Sequence, residues 1–178
     1  GRGAWRNAAA ARQLAAEADH LRRTVESADV IYFSGITLAI LASAHDVDTF
    51  LAELRRASAA GKLVVFDPNI RPRLWADKDT MLETISNGAR AATLVMPSFD
   101  DEASHFGDVS VEATIDRYRS LGVENIVVKD GAKGATLDFG GSRSHAPAVK
   151  AVDVVDTTSA GDSFNGAFLA RYVTGSAP

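Results

Sequence analysis

The chain has 178 residues, 46% of them hydrophobic and 24% charged, with a formal net charge of -4 and no cysteine. That length allows one domain with a sizeable core. The charge balance gives no general attraction to nucleic acid or to an acidic membrane, and the lack of cysteine excludes a disulfide scaffold and a thiolate metal site.

In chain order, Leu14, Ala18, Leu21 and Val25 recur at helical spacing and predict an amphipathic helix over roughly Ala8 to Ser27. This alanine-rich start, mixed in charge, is not a secretory signal, and no apolar run reaches the roughly 20 residues of a membrane span. Val30 to Phe33 is a short β-branched and aromatic run followed by Ser34-Gly35. Asp48 to Ala60 carries Phe50, Leu51 and Leu54 on one face and stops at Gly61, which predicts a second helix. Leu63 to Phe66 is the next strand, ended by Asp67-Pro68-Asn69, and Asp77 to Ala89 predicts another helix. Thr93 to Met96 is a third strand ended by Pro97-Ser98. Val111, Ile115 and Tyr118 mark a helix stopped at Gly122, and Ile126 to Val128 is a fourth strand. The four runs start about 30 residues apart, the size of a βαβ unit, and near-continuous apolar runs suit parallel strands buried on both faces.

After Val128 the pattern changes. Lys129-Asp130-Gly131-Ala132-Lys133-Gly134 is turn chemistry, and Ala135 to Phe139 with Ser142 to Ala146 predict an antiparallel pair around Gly140-Gly141. A last helix is predicted from about Ala160 to Val173. No linker or shift in composition divides the chain, so one α/β domain over residues 1–178 is expected.

In an open α/β sheet, ligands sit beyond the carboxyl ends of the parallel strands. Here each apolar run is followed by polar or flexible residues, which fits one shared cleft. The stretch before the last helix adds chemistry. Ser159, Ala160 and Gly161 are small, so the backbone can come close to a ligand, and the helix that follows aims free N–H groups and a positive dipole end at that spot. Asp162 puts a carboxylate beside this anion cradle. Phosphate binding next to a base is the equipment of a kinase acting on a hydroxyl. The same spacing, Ser159-x-x-Asp162, also fits a capping box, in which Asp162 only closes the first helical turn. His20, His45, His105 and His145 have no metal-ligand spacing, and no Gly-x-Gly-x-x-Gly follows a strand, which speaks against a dinucleotide-binding domain.

Asp156-Thr157-Thr158-Ser159-Ala160-Gly161-Asp162 resembles the C-terminal signature of the ribokinase family, the PfkB sugar kinases, Asp-Thr-Thr-Gly-Ala-Gly-Asp, and departs from it only at Ser159. Further segments are similar to the acid-sugar kinases of that family: Trp5-Arg6-Asn7, Phe33-Ser34-Gly35-Ile36-Thr37-Leu38, Phe66 to Trp75 and Pro97 to Ala103. The resemblance implies a ribokinase-like three-layer α/β/α fold with a mostly parallel sheet. It also implies that this stretch is part of a kinase of about 300 residues, with the N-terminal strands and the β lid lying outside it.

The resemblance further implies ATP-dependent phosphorylation of 2-keto-3-deoxygluconate, or of another sugar or nucleoside, in the cytoplasm. A non-catalytic, sugar-sensing relative is the reading from a different class. Asp162 would be the base, and the amides of Ala160 and Gly161 the anion hole. Lys129, Gly131, Gly134 and Ser159 would lie at the nucleotide. Arg6, Arg71 and Asn69 would meet the sugar acid, since a guanidinium offers a carboxylate two parallel donors. The family's Asn-x-x-Glu motif for magnesium is not literal here, so either Asp101 or Glu102 would serve Mg2+ indirectly. Asp156 is a candidate for K+. A sugar acid and ATP are the implied partners, with neither nucleic acid nor membrane, and self-association is left open.

Overall fold

The structure, a computed structural model, describes residues 17–41, 43–149 and 159–175. It contains α1 (Ala18–Ser27), β1 (Val30–Ser34), α2 (Gly35–Ile40), α3 (Ala44–Ala59), β2 (Leu63–Asp67), α4 (Lys78–Ala91) and β3 (Leu94–Val95). These are followed by α5 (Phe99–Phe106), α6 (Val111–Ser120), β4 (Asn125–Lys129), β5 (Ala135–Phe139), β6 (Ser142–Ala146) and α7 (Ala160–Val173). Single 3-10 turns lie at Pro72–Leu74 and Gly131–Lys133.

The six strands form one sheet in the order β1-β2-β3-β4-β5-β6. β1 to β4 run parallel, and β5 and β6 return antiparallel. Strand alternation sorts the side chains into two layers. Val64, Phe66, Val95, Ile126 and Val128 face a large core built with α1 to α6. Val65, Leu94, Met96 and Val127 face the other way and pack against Phe164, Phe168 and Leu169 of α7. The result is the expected three-layer arrangement, with α7 alone among the described helices on its side of the sheet. Its aromatic side chains run along one face at i, i+4 and i+8, Phe164 on Phe168 on Tyr172, and Tyr172 stacks on Phe139 of β5 at 5.7 Å. These rings are half-buried, so each contributes less than the roughly 1.5–3 kcal/mol of a fully buried side chain. They seat α7 firmly on the strands.

Strands β1, β2 and β4, the β5–β6 pair and α7 lie where the sequence placed them. Gly140 and Gly141 both adopt positive φ, 57° and 89°, as a two-residue type I′ hairpin turn requires. Other elements differ. The expected first helix is described only from Ala18, the residues from Ala8 to Ala16 being outside the described ones. α3 starts at Ala44 rather than Asp48 because Ser43 caps it, accepting from the Asp46 amide. The third strand shrinks to Leu94–Val95: the Val64 amide donates to the Thr93 hydroxyl rather than to a backbone carbonyl, while the Thr93 amide and hydroxyl both donate to the Val64 carbonyl. Two short helices, α2 and α5, were not expected. Ser34 and Thr37 form a reciprocal capping box that starts α2 directly after β1. Gly107 closes α5 in the left-handed conformation.

Parallel pairing brings the strand ends to one edge. Ser34 lies opposite Asp67, and Ser98 bridges to Lys129. Gly35 tightens this edge, because a Cβ there would run into the Pro68 carbonyl oxygen, so only glycine lets the β1 and β2 loops approach so closely.

Candidate active site

Four side chains from four elements meet at the carboxyl edge of the sheet. Tyr32, Asp67 and Lys129 all project toward α7, by the same alternation that sends Val65 and Val127 there. Asn165, one turn into α7, closes the group. Its amide nitrogen donates to Asp67 Oδ2 at 2.8 Å and to the Tyr32 hydroxyl at 3.1 Å, and its oxygen accepts from Lys129 Nζ at 3.2 Å. The Tyr32 hydroxyl also donates to Asp67 Oδ2 at 3.2 Å, and Lys129 Nζ lies 3.4 Å from the same oxygen. Asn165 and Asp67 are only 2% and 3% exposed, so this network is a buried one whose members satisfy each other. Burial, then the Asp67 carboxylate, push the Tyr32 phenol up to about 12, with a smaller contribution from the charge of Asp162.

Asp162 stands three residues before Asn165, so helical geometry puts it on the same face of α7, near enough for its charge to act on Tyr32. Its side chain is exposed. The capping-box alternative does not form. Ser159, the residue before α7, makes no side-chain cap bond and adopts a left-handed conformation with φ 62°. Asp162 is therefore free of a capping partnership with Ser159. The left-handed backbone also explains why glycine would suit position 159, since any Cβ there is strained by about 1–2 kcal/mol.

Beside this group lies a cavity of about 520 Å³, within the size range of small-molecule sites. Ala160 and Gly161, the first two residues of α7, form part of its wall, together with Lys129, Gly131, Gly134 and Ser98. First-turn amides have no acceptor within their own helix, so this wall carries unsatisfied N–H groups and the positive end of the dipole. Gly134 has φ 102°, and a Cβ there would collide with the Ala146 carbonyl, so glycine keeps the floor of the cavity open to the β5–β6 hairpin.

The structure thus brings Ala160, Gly161, Lys129, Gly131 and Gly134 together around one cavity, whereas Ser159 and Asp162 adjoin these residues in the chain but are not among those that line it. Asn69 and Arg71 fall on the loop after β2. Asn69 holds a positive φ of 36° while its amide donates to Asp67 Oδ1 at 3.2 Å. Arg71 is half exposed, donates to the Ile70 carbonyl at 2.9 Å and lies 3.6 Å from Asp101. Burial pushes the Asp101 carboxyl up, opposed by the charge of Arg71.

Glu102 is corrected by the structure. It is fully buried on the far side of α5, held by Arg117 at 2.5 Å and by the Tyr118 hydroxyl at 3.0 Å, away from the cavity. Burial pushes it up to about 7 against the pull of Arg117. The carboxylate of this segment on the cavity wall is Asp100. Among the described residues no group of three or more His, Cys, Asp or Glu could enclose a metal ion. Mg2+ binds through one or two carboxylates plus phosphate oxygens and water, so Asp100 and Asp101 fit it only in that indirect way. Arg6 and Asp156 lie outside the described residues. No described helix is long and apolar enough to cross a membrane.

Sequence reasoning missed Tyr32 and Asn165, the two residues that tie the network together. The only signal for Tyr32 was its place in the middle of a five-residue strand, and for Asn165 a polar residue in an otherwise apolar helix run.

Comparison with known proteins adds to this geometry. The family model for pfkB family carbohydrate kinases matches residues 3–177. The 2-dehydro-3-deoxygluconokinase of Escherichia coli (strain K12) is 38% identical over 180 aligned positions, covering 96% of this chain and 57% of that protein. The crystal structure of a PfkB protein from Polaromonas sp. JS666 superposes with a TM-score of 0.75 at 28% identity, over 86% of this chain and 49% of that one. Aminoimidazole riboside kinase from Salmonella enterica, solved with aminoimidazole riboside and an ATP analogue, superposes at 0.68 with 35% identity, over 78% of this chain and 45% of that one. The chain thus spans about half the length of the relatives it matches.

Proposed function

Because the chain belongs to the pfkB family of carbohydrate kinases, we propose that the protein containing it transfers the γ-phosphoryl group of ATP to the terminal hydroxyl of 2-keto-3-deoxygluconate, giving the 6-phosphate. The observation that supports this reading is a cavity walled by Ala160 and Gly161, the first two residues of α7, and by Lys129, with the exposed Asp162 next along the same helical turn.

In the proposed reaction the substrate hydroxyl oxygen attacks the γ-phosphorus, its proton passes to Asp162, and the bond from that phosphorus to ADP breaks. A positioned base contributes roughly 10²–10⁴-fold in such chemistry. The Ala160 and Gly161 amides face the charge on the transferring group, where preorganised donors act at no further reorganisation cost. The Gly131–Gly134 loop holds the nucleotide on the cavity side. Asn69 and Arg71 extend the edge on the Asp67 side and suit an acid sugar, with Arg71 exchanging Asp101 for the substrate carboxylate. Bound Mg2+ would neutralise phosphate charge, and Asp100 and Asp101 are the carboxylates placed to meet its water shell. The cytoplasm is the compartment this reading implies.

The likeness to aminoimidazole riboside kinase supports a second reading, a kinase of a neutral sugar or nucleoside. A coupled ATP-consumption assay of the intact protein against keto-deoxy acids, neutral sugars and nucleosides separates the two. The proposal expects kcat/KM highest for 2-keto-3-deoxygluconate, and a neutral sugar or nucleoside in first place would replace it. No turnover of any of them would favour a sugar-sensing protein.

A further inference from the structure

Lys129 stands in an electrostatically unusual place. Its side chain is only 11% exposed, it lines the cavity, and its Nζ would sit 3.7 Å from a Cβ on Gly161 in the first turn of α7. Cations are unfavourable at the positive end of a helix. Among the described residues one carboxylate, Asp67, lies against this charge, at 3.4 Å, and Asp67 also accepts from Asn165 and Tyr32. An ammonium has three donors. Among the described residues two of those of Lys129 are spent, on Asp67 and Asn165, and the third is open to the cavity that Lys129 lines. A buried cation next to a helix N-terminus, tethered on one side and open on the other, is an arrangement that an anion on the open side would complete.

Resting on the kinase reading above, we infer that Lys129 is a catalytic residue. Its ammonium contacts the γ-phosphoryl group together with the Ala160 and Gly161 amides and follows the charge as it moves from ADP to the sugar oxygen. Asp67 and Asn165 are the positioning residues that keep the ammonium at the cradle. This goes beyond a place beside the nucleotide, because it assigns Lys129 to the third phosphoryl group and to the step in which that group transfers.

The test uses the intact protein and the variants Lys129→Met and Lys129→Gln, the second keeping a donor for Asp67 without the charge. In either variant Asp67 retains Asn165 and Tyr32; Lys129→Met leaves the Asn165 oxygen without the donor it has in Lys129, which is why Lys129→Gln is the decisive variant. Turnover is measured alongside calorimetric binding of ADP and of a non-hydrolysable ATP analogue. The inference expects kcat to fall about 10²-fold in both variants, as when one preorganised charge-stabilising donor is removed. ADP affinity should stay within about threefold, and the analogue should lose roughly tenfold or more. Near-normal kcat in Lys129→Gln, or equal losses for ADP and the analogue with a lowered Tm, would make Lys129 a structural ion pair and overturn the inference. If the unaltered protein turns over sugar and the variants do too, the inference alone fails. If the unaltered protein binds no nucleotide, the kinase reading fails and takes this inference with it.

Discussion

Asn165 and Asp67, 98 positions apart in the chain, meet through a 2.8 Å hydrogen bond that ties the first turns of α7 to the end of β2. The bond matters because α7 carries the groups proposed for chemistry, while β2 leads into the loop that carries Asn69 and Arg71. Asn165→Ala leaves the buried Asp67 with one donor fewer and Lys129 with no amide partner. A lost partner for a buried polar group costs roughly 1–3 kcal/mol, more when it is charged. Chemical denaturation should show a loss of that size, and kcat should fall by more than ATP affinity. Unchanged stability and turnover would mean that the aromatic packing alone positions α7.

Ser159 offers a test on the same helix. Because its φ is 62° and its hydroxyl makes no cap bond, Ser159→Gly should stabilise the protein by about 0.5–1 kcal/mol. Ser159→Ala should be close to neutral, whereas losing a true N-cap costs about 1 kcal/mol. Thermal melts of the two variants decide between strain and capping.

Glu102 should make stability depend on pH. Burial raises its folded-state value to about 7, above the ordinary 4.5 of the unfolded chain. The folded protein therefore binds this proton more tightly than the unfolded one, so the contribution is most favourable below about pH 4.5 and declines as pH rises to about 7. Glu102→Gln removes the titration. Denaturation curves across this window should show a flatter pH dependence for the variant than for the parent, and identical slopes would place the titration elsewhere.

Arg71 bears on the choice of substrate. Among the described residues its one ion pair is at 3.6 Å and half its side chain is exposed, so a move to a bound carboxylate costs it that long pair and the bond to the Ile70 carbonyl. Losing a charge-assisted bond costs about 1.5–3 kcal/mol, so Arg71→Ala should lower kcat/KM for 2-keto-3-deoxygluconate roughly ten- to a hundredfold. Turnover of fructose, which has no carboxylate, should barely change. Equal losses on both would assign Arg71 to the fold or the nucleotide.

Particular residues show how much could be read from the sequence. Apolar runs such as Leu63 to Phe66 are buried on both faces, and that pattern is visible without a structure. The Gly140-Gly141 turn and the α7 boundaries were equally plain, because glycine and helical periodicity are local signals. α2 was not, since Gly35 to Ile40 is too short to show periodicity and depends on the Ser34–Thr37 capping box. Of the residues expected at the nucleotide from a motif and a strand end, Lys129, Gly131 and Gly134 line one cavity and Ser159 does not. The network around Asn165 was hidden because it joins residues from β1, β2, β4 and α7, and no local pattern reports such pairings. Glu102 misled for a related reason. Its neighbours Asp100 and Asp101 are also acidic, and only the packing of α5 on α6 decides which carboxylate turns inward to Arg117.

The central claim is that Asp162 is a base and not a helix-capping residue, and the most direct measurement is the turnover of Asp162→Asn in the intact protein with ATP affinity determined alongside. The variant keeps the size of the side chain and the start of α7 but cannot take a proton. A general base predicts a fall in kcat of at least about 10²-fold with nucleotide binding nearly unchanged. Turnover close to that of the parent would contradict the account, leaving Asp162 as an exposed acid at a helix end.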